Sequence, residues 1–253
     1  MIPRTLHYCW FSGEPYPPLV RQCLRSWHRH LPDFTLRLWD GNSFDWTSVP
    51  SVKEAMSIKQ YAYAADYVRL YALFTEGGIY LDTDVLVQKD MSAFLEQSLF
   101  VGTETWYKDW MRQTGTQYNL EAAILGSEPG HPFIEECLQW FDGRTFLNEE
   151  GRRDASVPTL PHIMSQVADH YGYKHIDQEQ HLSNGLHIYP TTVFTNTVQA
   201  QRANPRHAYA IHCNAGGWTG QTSRGRFYYW CVRHGYMALY NQMERISSKL
   251  FRK

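Results

Sequence analysis

A chain of 253 residues with 43% hydrophobic content is long enough to bury a full core as one domain, with at most a small added helical lobe. A net charge of −1 counts against nucleic-acid binding through a global basic field. Five cysteines, odd in number and without a Cys-x-x-Cys pair, count against a disulfide framework or a structural zinc site, so reduced thiols and a cytoplasmic setting are expected. No apolar run is long enough to span a membrane, and no charged-then-apolar leader precedes the first strand pattern.

In chain order, Thr5–Trp10 reads as a buried strand, followed by a loop with Pro15, Pro17 and Pro18 and an amphipathic helix over Leu19–His30. Phe34–Trp39 is a second strand, closed by the turn Asp40-Gly41-Asn42. Lys53–Glu76 holds one or two helices, stopped by Gly77-Gly78. Ile79–Leu81 and Val85–Val87 flank an acidic pair, and Leu99–Glu104 and Ala122–Leu125 are further strands. His131–Phe141 and Leu160–Tyr171 read as helices, and Leu186–Tyr189 and Tyr209–His212 as late strands. An aromatic-basic helix closes the chain: residues 224–253 hold seven Lys/Arg against one acid. The expected fold class is α/β, with a mostly parallel central sheet and added helices. The expected organisation is a catalytic domain over 1–223 and a C-terminal segment over 224–253 packed on it.

Asp82 and Asp84 end the third strand, separated by one residue. In an extended segment side chains at i and i+2 share a side, so both carboxylates aim together, with Thr83 turned away. Such a pair is a hard, oxygen-rich site for Mn²⁺ or Mg²⁺ with open positions for phosphate oxygens. Ahead of it, Asp66 and Arg69 stand i and i+3 on an apolar helix, beside Ala62 and Ala65, which leave room for a ligand. Trp10, Asp40, Asn42, Asp82 and Asp84 all fall at or just past strand ends, the edge where α/β sheets bind ligands.

Several segments together resemble glycosyltransferase family 32, which has a DXD sugar-binding region and includes fungal initiating mannosyltransferases and bacterial capsule transferases, with the clostridial glucosylating toxins as relatives. The matching residues are Ile2–Phe11, Ala65–Tyr71, Gly77–Val85, Gly130–Phe133 and Tyr209–His212, in order along roughly the first 220 residues. The resemblance implies a GT-A-type nucleotide-sugar-binding fold, a nucleotide-diphospho-sugar donor (a UDP-sugar first), Mn²⁺ or Mg²⁺, and retention at the anomeric carbon. By position, Trp10 would stack on the base, with Asn42 and Tyr80 nearby in the donor site. Asp82 would contact ribose and, directly or through water, the metal; Asp84 would ligate the metal; Asp66 and Arg69 would hold sugar hydroxyls. His212 would be a further metal ligand, and Trp218 would contact the diphosphate. Where the family tends to show His, an aromatic and then Gly-Ser-Trp, this chain has His212-Cys213-Asn214-Ala215-Gly216-Gly217-Trp218. Gly217 thus replaces a hydroxyl, and a phosphate or metal contact is either lost or supplied by backbone N–H.

Each residue also has a plainer reading: a solvated turn for Asp82 and Asp84, a helix-surface salt bridge for Asp66 and Arg69, core packing for Trp10 and Tyr80, and an interior side chain for His212. Glu121, just before an apolar strand, could line an acceptor pocket. The C-terminal helix suits an anionic membrane surface or simple solvation. The sequence therefore points to transfer of a hexose or N-acetylhexosamine to an oligosaccharide or lipid-linked saccharide, in surface polysaccharide or capsule synthesis at the inner face of the membrane. The alternatives are an Asp-nucleophile phosphohydrolase, a glycosidase with carboxylates about 5–9.5 Å apart, a sugar-binding module, and a toxin-like transferase acting on a protein.

Overall fold

The computed structural model describes residues 1–105, 118–196 and 207–214. A seven-stranded sheet organises them, built from β1 (Thr5–Cys9), β2 (Thr35–Trp39), β3 (Gly78–Leu81), β5 (Leu99–Thr105), β6 (Tyr118–Ser127), β7 (Gln180–His181) and β8 (Leu186–Tyr189). Their spatial order is β2-β1-β3-β6-β5-β8-β7. β6 and β7 pair antiparallel with their neighbours, and the other five strands run the same way. The α/β class with a mostly parallel sheet is thus what the chain forms.

Alternation along the central strands divides the core into two layers. Tyr80, Leu99, Val101 and Leu125 join one hydrophobic cluster, which holds Leu70 and Leu73 of α3 (Tyr61–Thr75), Phe133 of α4 (Pro132–Gln139) and Met164 of α5 (Leu160–Asp169). Ile79, Leu81, Phe100 and Ile124 point the other way, against Trp27 of α1 (Pro18–His30) and Phe194. The expected helical stretch 53–76 is two helices, α2 (Pro50–Ser57) and α3, divided at Lys59, whose φ of 60° no α-helix accepts.

Across the second layer lies a three-stranded sheet in the order β4-β10-β9, from β4 (Val85–Val87), β9 (Phe194–Asn196) and β10 (Ala210–His212). Helix α1 clamps β4: the Trp27 indole N–H donates to the Val85 carbonyl at 2.8 Å, and the Val87 N–H donates to Ser26 Oγ at 3.0 Å. β4 follows the acidic pair directly, so this clamp fixes one end of the segment that carries it.

α3 stops where the glycines predict. Gly77, at φ +64°, ends the helix with its N–H on the Leu73 carbonyl at 3.1 Å. Gly78, at φ +119°, passes so close to β1 that a Cβ there would sit 2.6 Å from the Thr5 carbonyl oxygen. Among the described residues no helix is long and apolar enough to cross a membrane. Residues 224–253 lie outside the described residues, and the expected aromatic-basic helix with them.

Candidate functional site

The acidic pair does not continue the strand. β3 ends at Leu81, and Asp82–Asp84 form a tight turn in which the Val85 N–H donates to the Asp82 carbonyl at 2.9 Å. The strand-pleat argument for convergence therefore fails, because the chain must reverse here to enter β4. The carboxylates converge all the same: one ligand atom each from Asp82, Asp84 and His212 lie within 4.8 Å of one another.

His212 arrives through strand register. β10 pairs antiparallel with β4 so that His212 stands opposite Val85, and the Cys213 N–H donates to the Asp84 carbonyl at 2.9 Å. The imidazole is sandwiched: Nε2 lies 3.6 Å from Asp84 Oδ1 and Nδ1 lies 3.3 Å from Glu121 Oε1. Burial works against the imidazolium, but the Glu121 and Asp84 carboxylates outweigh it and raise the His212 pKa well above its ordinary value. Burial likewise works against the Glu121 carboxylate, and His212 holds its pKa below the usual range. Both shifts favour the charged pair, and a cation taking the Nε2 side would compete with a proton there.

Glu121, for which the sequence offered an acceptor-pocket reading, is here the partner of His212. It sits on β6, buried behind His212, with its Oε1 also accepting from the Ala123 N–H at 3.0 Å. A lone carboxylate in the apolar run Leu120–Leu125 needs a buried partner, and that was the available signal. A register shift between β5 and β6 at Val101/Gly102 helps to build this corner. Beside it, the Ala122 carbonyl accepts from Arg69, and the Ala123 carbonyl accepts from the Asp82 N–H at 3.0 Å.

Asp66 and Arg69 belong to the same corner rather than to a surface pair. Arg69 is 4% exposed; its Nη2 lies 2.9 Å from Asp66 Oδ1 and 3.3 Å from Asp82 Oδ1. Its guanidinium carbon stands 4.6 Å from the centre of the Tyr80 ring, and the Tyr80 hydroxyl donates to Asp82 Oδ1 at 3.0 Å. Burial opposes the Arg69 charge, yet Asp82, Tyr80 and Asp66 hold its pKa above the ordinary value. Burial pushes the Asp66 carboxyl up to about 7, with Arg69 opposing the rise and the Asp82 charge adding to it.

Trp10 follows β1 at the same end of the sheet, its indole N–H on the Glu14 carbonyl at 2.8 Å and its ring edge-on to Tyr16 at 5.0 Å. Asn42 is exposed in the turn after β2, where Asp40 Oδ1 accepts its backbone N–H. Trp218 lies outside the described residues. A surface hollow of about 360 Å³ beside Trp39, Phe44, Tyr67 and Tyr71 holds none of the acidic cluster, so we place the site at the carboxylates, where the chemistry is.

An oxygen-rich trio with one imidazole, partly open to solvent and backed by ion-paired residues, fits a divalent cation that leaves positions for phosphate. Residues 17–101 match the family model described as the glycosyltransferase sugar-binding region containing DXD motif. Over those residues the chain is similar to the DXD-motif glycosyltransferases. An uncharacterised glycosyltransferase of Acanthamoeba polyphaga mimivirus is 24% identical over 228 residues, covering 86% of this chain and 84% of the viral protein. Glucan organizing enzyme 1 of Cryptococcus neoformans var. grubii is 35% identical over 170 residues, which is 56% of this chain and 46% of that protein, so this chain matches under half of the fungal one. Among solved structures, a glycosyltransferase involved in glycosylation of the major capsid of PBCV-1 is 10% identical, with a TM-score of 0.47 over 88% of this chain and 98% of that one. Asp82 and Asp84, and with them the acidic turn, lie inside the matched region.

Proposed function

We propose that this chain is a glycosyltransferase that moves a hexose or N-acetylhexosamine from a nucleotide-diphospho-sugar, a UDP-sugar first, to a saccharide acceptor with retention at the anomeric carbon. The observation that carries the reading is the convergence of Asp82, Asp84 and His212 where β3, β4 and β10 meet. In this reading Asp84 and His212, with Asp82 directly or through water, hold Mn²⁺ or Mg²⁺. Bound there, the ion supplies charge neutralisation for the departing diphosphate.

The remaining roles fall to side chains. Trp10 stacks on the base, with Asn42 beside it at the sheet edge. Asp66 accepts a sugar hydroxyl from its partly open position, with Arg69 behind it fixing both Asp66 and Asp82. Trp218 meets the diphosphate. The acceptor hydroxyl attacks on the face from which the diphosphate departs: the new C–O bond forms as the sugar–phosphate bond breaks, and the hydroxyl proton passes to the leaving phosphate oxygen. Glu121 is enclosed behind His212, which favours this route over a covalent intermediate on that carboxylate. Asp82, tied to Arg69 and Tyr80, is poorly placed to be the nucleophile of a phosphohydrolase.

The biological setting we favour is surface polysaccharide or capsule synthesis on a lipid-linked acceptor, at the cytoplasmic face and with segment 224–253 touching anionic lipid. Support comes from the basic charge of that segment and from the fungal relative whose name concerns a glucan. The test is incubation with UDP- and GDP-sugars, Mn²⁺ and saccharide acceptors, with the product anomer read by NMR. Release of one nucleoside diphosphate with a product of the donor's configuration is expected. An inverted product, or a trapped glycosyl-carboxylate adduct, would overturn the mechanism.

A further inference from the structure

The far edge of the seven-stranded sheet carries a second cluster of metal-ligating side chains. β7 and β8 pair antiparallel with His181 directly opposite His187, so both rings stand on one face, their centres 3.7 Å apart. Glu179 precedes His181 by two residues and reaches the same face. Its Oε1 lies 2.7 Å from His187 Nε2 and 3.6 Å from His181 Nε2. One ligand atom from each of the three lies within 4.8 Å of the others.

This cluster is separate from the donor site. β8 is three strands from β3 in the sheet, and His187 is level with Phe100 near the start of β5, whereas the acidic turn lies beyond the carboxyl end of β3. His187 is held firmly: its side chain is 12% exposed and its ring stacks on Tyr189 at 4.0 Å. A hydrogen bond to Glu179 accounts for His187 alone. It leaves unexplained why a second imidazole nitrogen, on the opposite strand, faces the same carboxylate oxygen.

We propose that Glu179, His181 and His187 form a second cation site, for a borderline divalent ion with Zn²⁺ preferred, that ties β7 to β8. Two imidazole nitrogens and one carboxylate oxygen suit Zn²⁺, with water completing the shell, and they select against Mg²⁺ and Mn²⁺, which favour oxygen. A clip here has a structural consequence. β7 is a two-residue edge strand, and a cross-strand ion restrains its opening and blunts the sheet edge.

The experiment is calorimetric titration of the full chain with ZnCl₂, in the wild type, Asp84→Ala, His181→Ala and the double variant. His181 is 71% exposed on its side chain, so its loss leaves the fold and transferase activity intact. Asp84→Ala is expected to retain one Zn²⁺ and the double variant none, with MgCl₂ giving no heat at this site. Zn²⁺ at a hundredfold excess over its dissociation constant is expected to raise the melting temperature of Asp84→Ala by about 5–10 °C, a shift absent from the double variant. If Asp84→Ala does not fold, the wild type should fall from two bound Zn²⁺ to one on His181→Ala. Zn²⁺ stoichiometry unchanged by His181→Ala, or no Zn²⁺ bound once the donor cluster is removed, would overturn the proposal.

Discussion

Glu121 holds Nδ1 of His212 at 3.3 Å, and the other nitrogen of the same ring faces Asp84 at 3.6 Å. A carboxylate behind a ligating histidine fixes the ring's orientation and raises its basicity. Glu121→Gln keeps the shape and removes the charge, so Mn²⁺ affinity is expected to fall by about 10–100-fold with the fold retained. Titration of Mn²⁺ followed by electron paramagnetic resonance measures this, and unchanged affinity would show that Glu121 serves packing alone.

Arg69 joins two carboxylates, a backbone carbonyl and an aromatic ring in one buried corner. Arg69→Ala leaves Asp66 and Asp82 without their shared cation, a loss of about 3–5 kcal/mol for a broken buried pair. Arg69→Lys keeps the charge but not the fork that reaches both carboxylates, and it should lower donor affinity more than stability. Urea denaturation and nucleotide titration of both variants separate the two effects.

Much of this corner was legible in the sequence. Asp66, Arg69, Tyr80, Asp82 and Asp84 come together because α3 runs straight into β3 through Gly77-Gly78, and nearly every contact is local. What local pattern could not carry was register. His212 meets Asp84 through the pairing of β10 with β4, and Glu121 meets His212 across two sheets. The turn at Asp82–Asp84 also defeated the alternation argument, since periodicity describes a strand but not where the chain leaves it. The short strands β7 and β9 were missed because two or three residues hold no period.

Burial raises the Asp66 carboxyl to about 7, above its value in an unfolded chain. A raised carboxyl pKa means that the folded state binds the proton more tightly. The contribution of this group to stability is complete below the unfolded pKa of about 3.9 and is lost progressively as pH rises toward 7. Asp66→Asn removes that dependence, so the variant should gain stability relative to wild type between pH 4 and pH 7, then hold the difference. Denaturation midpoints of both proteins across that range test the sign; a constant difference would contradict it.

At Gly78 a Cβ would press on the Thr5 carbonyl oxygen at 2.6 Å, in a backbone region that side chains avoid. Gly78→Ala is expected to cost about 2–3 kcal/mol through strain at the junction of α3 and β3. Gly130, also at positive φ, has open space around its missing Cβ, so Gly130→Ala carries backbone strain without the clash and should cost less. Paired thermal melts of the two variants make the comparison.

The central claim is that the acidic turn binds a nucleotide-diphospho-sugar through a divalent cation. Calorimetric titration of UDP, and of GDP in parallel, into the wild type and Asp84→Ala, each with Mn²⁺ and then with EDTA, tests it most directly. The account predicts binding by the wild type only when Mn²⁺ is present, and none by Asp84→Ala in either condition. UDP and GDP both failing to bind the wild type with Mn²⁺, or UDP binding equally well to Asp84→Ala, would contradict it.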